Sequence, residues 1–165
     1  MSRALAAFNR AAFVAGDGRV DETVAYAFEV YIAQDNFIKV GNSTYLNPVD
    51  RNRPRIRQNI DRLRISAEGK AAQLDEINRL NGLLVAFLNG VAARTDERKI
   101  MGLDFPTEKE TWRDGQIMLE QIRASGDRIK TIEQTRQEIL KELDPNFNSG
   151  EETPAGEGGA PEGKS

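Results

Sequence analysis

Two apolar seams with a heptad stride limit what this chain can fold into. Ile56, Ile60, Leu63, Ala67, Lys70, Leu74, Ile77, Asn81, Leu84, Leu88 and Val91 follow one another in steps of four and three. Gly115, Met118, Ile122, Ser125, Ile129, Ile132, Arg136, Ile139 and Leu143 do the same. That stride keeps one stripe of a helix turned towards a partner helix. A short polar stretch containing Gly102 and Pro106 separates the two runs. The pattern predicts an all-α fold built on a long antiparallel, coiled-coil-like hairpin with arms at 54–99 and 107–143. Two shorter N-terminal helices, 1–16 and 21–40, are expected to pack against it. The helical domain then covers 1–145, and the Gly-, Pro- and Glu-rich stretch 146–165 reads as a disordered tail.

Folding the arms about Leu103 pairs residues whose numbers add to 206, so Leu84 meets Ile122, Ile77 meets Ile129 and Leu63 meets Leu143. Asn81 then faces Ser125. One layer is faulty: Lys70 stands opposite Arg136. Each arm is about 55 Å long at 1.5 Å per residue.

Composition removes several kinds of chemistry. The 165 residues include no cysteine and no histidine. Disulfides, thiolate nucleophiles and imidazole acid–base or metal chemistry are therefore outside this chain's means. Asp75-Glu76 and Asp96-Glu97 are adjacent in sequence and point different ways on a helix. The chain is read as a non-enzyme with no catalytic residues, no metal site and no cofactor. No apolar run approaches the roughly 20 residues that span a bilayer. With no secretory apolar region, the expected location is the cytoplasm or the inside of a protein assembly.

Ser2 is a cap for a first helix ending near Ala15, with Gly16 as its stop. Asp17-Gly18-Arg19-Val20-Asp21 reads as an interhelical turn, after which Asp21 caps the second helix. Placed in an EF-hand loop with Asp17 at the fifth position, these residues put Phe13, Ala15 and Val24 at ligand positions, which rejects calcium. The Asp-Gly-x-Val-Asp turn also resembles the one joining the first helices of tellurite-resistance TerB-like domains; the match covers a few residues and implies no activity. For 28–46 a β-hairpin turned at Gly41-Asn42 competes with helix, and the alanines on either side favour helix.

Two surfaces offer themselves to partners. Leu80, Leu83, Phe87 and Phe105 widen the apolar stripe towards the hairpin tip, where Ile100, Met101 and Leu103 add to it. Gly82, Ala86 and Gly90 recur every four residues and let another backbone approach closely. A second helix about 28 Å long does not reach that tip, so the tip is expected to stay uncovered and to bind a protein, either a second copy or another chain. The expected function is a helical assembly, scaffold or interaction component of a larger particle or machine. The alternative is a nucleic-acid-binding module that uses Arg51, Arg53, Arg55, Arg57, Arg62 and Arg64 on phosphates, although no aromatic stands among them to stack bases. Thr107 and Glu110 form a capping box for the last helix.

Overall fold

The computed structural model describes the backbone of residues 3–106 and 112–144, and the side chains of 18–106 and 112–144. The all-α reading holds, with α1 at Arg3–Val40, α2 at Asn47–Ser66, α3 at Ala71–Met101 and α4 at Arg113–Leu143. Short 3-10 turns at Ser43–Leu46 and Gly102–Asp104 join α1 to α2 and follow α3. There is no strand among the described residues, so the β-hairpin alternative for 28–46 gives way to the end of α1 and the first of these turns. Residues 146–165, Thr107 and Glu110 lie outside the described residues.

Side-chain contacts fix the directions of the helices. Asn52 Nδ2 donates to Glu29 Oε1 at 3.0 Å, and Asn59 Nδ2 donates to Glu22 Oε1 at 2.9 Å. The two rungs are one heptad apart on both helices, which makes α1 and α2 antiparallel. Arg53 Nη2 donates to the Leu88 carbonyl at 3.3 Å and Arg64 Nε to Asn78 Oδ1 at 3.0 Å, which makes α2 and α3 antiparallel. Glu76 on α3 accepts from Ser125 Oγ at 2.7 Å and from Arg128 Nε at 3.1 Å on α4. Lys130 Nζ reaches Asp21 at 2.7 Å and closes α4 back onto α1. The result is an up-down-up-down four-helix bundle, in which short connections join antiparallel neighbours.

Three expectations change. The arm foreseen over 54–99 is two helices, because the chain reverses at 67–70. Gly69 takes φ +80°, a left-handed conformation that glycine adopts without a Cβ penalty. The first two predicted helices are one: α1 continues through Gly16 and Gly18, and Gly18 is absent from the positive-φ positions. Glycine weakens a helix by about 1 kcal/mol relative to alanine but does not break it, so the TerB-like turn does not form. Lastly, α2 begins at Asn47, with Pro48 in its first turn and Pro54 inside it on the exposed side. Pro48 supplies the proline of the first turn, and the helix starts seven residues ahead of the arm expected from 54.

The α3–α4 hairpin exists, but its register is slid by about one helical turn. Paired numbers add to 201–204 instead of 206. The shift repairs the faulty layer. Lys70 now lies 3.7 Å from Glu133, which also accepts from Arg136 Nη1 at 3.2 Å and from Gln137 Nε2 at 2.8 Å. An acid therefore sits between the two cations that would otherwise have met.

The core lies along the bundle axis, and Ile60, Leu63, Ile77, Leu84 and Ile122 are at most 2% exposed. Ile122→Ala should lower stability by about 2–5 kcal/mol through lost burial and a residual cavity. Leu103→Ala, at a position 95% exposed, should change it by less than about 0.5 kcal/mol. Urea unfolding of both variants checks the contrast.

Candidate functional site

One end of the bundle collects polar and aromatic side chains from three helices. It is formed by the C-terminal parts of α1 and α3 and the start of α4. On α1, Tyr31, Gln34 and Ile38 lie at steps of three and four, on one face. On α3, Phe87, Arg94 and Arg98 continue the stripe that runs through Val91. Arg94 Nε donates to Gln34 Oε1 at 3.2 Å, and Arg98 Nε to the Ile38 carbonyl at 2.7 Å. Both pairs are separated by 60 residues, so α1 and α3 run parallel and in step at this end.

Arg98 has a structural task. It is 7% exposed and its guanidinium rests against the last turn of α1, beside Gly41 at φ +82°. A helix C-terminus carries unpaired carbonyls and partial negative charge, which a guanidinium satisfies. A Cβ on Gly41 would run into Arg98, so the glycine serves both the turn and the cap.

Arg94 is held differently. Its guanidinium carbon lies 5.4 Å from the Phe105 ring centre and 5.5 Å from that of Trp112, within cation–π range of both. Trp112 also stacks on Phe87 at 5.7 Å and on Tyr31 at 6.3 Å. Gly90 and Gly115 leave room for the indole, since a Cβ on either would strike it. Trp112 thus ties α1, α3 and α4 together.

Burial raises the pKa of the Tyr31 phenol above its ordinary value of 10.0, and the nearby Asp35 carboxylate adds to the rise. Asp35 itself is bonded by Lys39 at 2.9 Å, a partnership that raises the Lys39 ammonium pKa. At the opposite end the charged set is Lys70, Glu133 and Arg136. A groove of about 500 Å³ opens there between the α2–α3 turn and the last turns of α4.

The partner residues named from sequence are dispersed. Leu80 and Phe87 are fully buried in the chain's own core, and Phe105 packs on Phe37 and Ile38. Leu83 is half-buried against the core. These positions are not an uncovered tip, because α1 is continuous to Val40 and lies beside α3 as far as Arg98. Gly90 is covered by Trp112, whereas Gly82 and Ala86 are exposed on α3. Ile100 and Leu103 do remain exposed at the tip.

The arginines of α2 do not converge either. Arg53 is spent on the Leu88 carbonyl, and Arg64 on Asn78 and, at 3.7 Å, Asp61. Arg55 lies over the Tyr26 ring at 5.6 Å. Arg51 borders a shallow hollow with Glu29 and Tyr45, Arg57 lines an α2–α3 groove of about 350 Å³ beside Asn81, and Arg62 is exposed.

Sequence reasoning passed over Gln34, Arg94 and Arg98. Carrying the seam beyond Val91 in the same four-and-three stride lands on Thr95 and Arg98, both buried. A charge on an apolar seam was the available signal.

The family comparison fits this architecture. Residues 21–142 match the CHASE3 domain. The chain belongs to the CHASE3 family. CHASE3 domains are helical sensory modules. Comparison with curated proteins and with solved structures gives no match. Among the described residues no helix is long and apolar enough to cross a membrane, and no group of three His, Cys, Asp or Glu is placed to hold a metal ion.

Gly115→Ala should press a methyl into the Trp112 indole, cost about 1–3 kcal/mol and shift tryptophan emission. A raised phenol pKa means that the folded state favours neutral Tyr31. The associated stability is complete below pH 10.0 and is lost as pH rises through the higher folded value. Thermal melts should therefore show the wild type losing stability relative to Tyr31→Phe above pH 10.0, with the difference constant at neutral pH.

Proposed function

We propose that this CHASE3 bundle is a non-enzymatic sensory module that receives a chemical signal and passes it to a protein partner through movement of its helices. The family match carries the reading, because residues 21–142 take in nearly all of the described side chains, with the second half of α1, all of α2 and α3, and α4 but for its last residue. The polar end of the bundle supports it. There α1, α3 and α4 meet through single side chains, so a change at Arg94 or Trp112 acts on three helices at once. CHASE3 domains usually work outside the cytoplasm, and that is the compartment we favour over a cytoplasmic assembly.

Interaction with a second copy or another protein stays within this reading, with a narrower surface. Gly82, Ala86 and the 48% exposed Val85 form the accessible part of the α3 face, and Ile100 and Leu103 the accessible part of the tip. The nucleic-acid alternative is not taken further, since half of the arginines it invoked hold the chain's own helices and surface rings.

A thermal-shift panel spanning amines, sugars, nucleosides, organic acids and inorganic ions tests the sensory reading. A ligand at about 100 times its Kd should add about 2.7 kcal/mol of stability, a shift of several degrees. No response from any class, together with a fixed high-order oligomer, would return the chain to the scaffold reading. Gly82→Leu, where the Cβ meets open space, should keep the fold and gain a few tenths of a kcal/mol to about 1 kcal/mol of helix propensity. Light scattering on this variant checks the α3 face: loss of an oligomer assigns the contact there, and an unchanged mass removes it.

A further inference from the structure

We propose that the polar end of the bundle binds a small oxyanion, an organic carboxylate or an inorganic oxyanion, between Arg94 and Gln34. The inference rests on the sensory reading above and supplies the chemistry of what is sensed.

Gln34 is 0% exposed. Its Oε1 accepts from Arg94 Nε, which fixes the orientation of the amide and directs Nε2 elsewhere. Gln34 Nε2 and Arg94 Nη2 are both buried, and neither finds an acceptor among the described residues. Buried donors in folded proteins almost always have one. Nη2 shares with Nε the edge of the guanidinium that grips a carboxylate through two parallel bonds. Gln34 occupies half of that edge. Because the two free donors belong to groups joined by one hydrogen bond, a single oxyanion can reach both.

Charge points to the same ligand. No described carboxylate lies within ion-pair distance of Arg94 or Arg98. Asp35, the next residue on α1, is held by Lys39. Arg98 is one turn from Arg94 and adds positive potential. Among the described residues the other buried side-chain atoms without a hydrogen bond are oxygens, on Asn52, Gln73, Glu133 and Gln137; the last three lie at the opposite end, where the Glu133 oxygen is ion-paired with Lys70. Among the described residues, buried nitrogen donors without a hydrogen bond are confined to this end, so the group that completes it is an acceptor and, beside a guanidinium, a negative one. The Phe105 and Trp112 rings flank the guanidinium and limit its hydration, which strengthens an anion contact. A bridging water is the neutral rival, since it too satisfies buried donors.

Trp112 is the only tryptophan and lies over Arg94, so its emission reports on the site. The full chain in chloride buffer is titrated with acetate, succinate, sulfate and phosphate at constant ionic strength, following Trp112 emission and melting temperature. The expected result is a saturable emission change with a rise of several degrees for at least one of these anions, and the arm that saturates says whether the ligand is organic or inorganic. Gln34→Glu replaces the free donor with a carboxylate that pairs with Arg94, which keeps the fold. It should weaken anion binding at least tenfold, while Arg57→Gln, an exposed arginine elsewhere, should leave it unchanged. No saturable response to any of the four anions would mean that water alone completes the site and would overturn the inference. A response that Gln34→Glu leaves intact overturns it too. Stabilisation by another ligand class alone overturns it while the sensory reading stands.

Discussion

The reversal at residues 67–70 is the constraint on which the bundle depends. A single arm from 54 to 99 would carry one apolar stripe far beyond anything the N-terminal helices cover. With Gly69 in the left-handed region, the same stripe is cut and folded on itself, so that Ile56, Ile60 and Leu63 meet Leu84 and Ile77 around a common axis. Four helices then bury what two would have left to solvent. The saving is hydrophobic: each fully buried Leu or Ile is worth roughly 1.5–3 kcal/mol relative to exposure.

Polar layers give the bundle its register and its two distinct ends. The Asn52–Glu29 and Asn59–Glu22 rungs hold α2 against α1 at heptad spacing. Glu133 holds Lys70 and Arg136 in one layer and fixes the slide of α4 along α3. At the other end Arg98 caps α1, while Arg94 is supported by two rings and one amide. Such layers specify pairing more than they stabilise, because a buried charge gains little net energy from its partner. In a CHASE3 domain this asymmetry matters. A tight apolar middle separates the two ends, and among the described residues one end has buried donors without an acceptor.

Much of the fold was legible in sequence because periodicity is a local signal. The seams from Ile56 to Val91 and from Gly115 to Ile132 lie on the faces that α2, α3 and α4 turn inward, whereas Ile139 and Leu143 at the end of the second seam are exposed. The reversal at 67–70 was not legible, because a glycine that a helix runs through and one that turns the chain back look alike until tertiary contacts choose between them. The Gly16–Gly18 region misled in the opposite sense, since helix continuity across glycine is decided by packing and not by local preference. The partner site was less legible. Leu80 and Phe87 were read as part of an uncovered tip, but both are buried in the chain's own core, because α1 runs on beside α3. The polar end escaped notice because Arg94 and Gln34 are 60 residues apart and only the parallel course of α1 and α3 joins them.

A distance between α2 and α3 tests this account most directly. The chain has no cysteine, so Arg57→Cys with Val85→Cys gives one labelled pair at two exposed positions. In the bundle both residues line the same groove, and spin labels there should lie within about 20 Å of each other, allowing for two label tethers across helices whose axes are about 8–10 Å apart. On a continuous helical arm the same residues would be about 42 Å apart at 1.5 Å per residue. A pulsed dipolar measurement with its main population below about 20 Å supports the folded-back bundle, and one centred near 40 Å contradicts it.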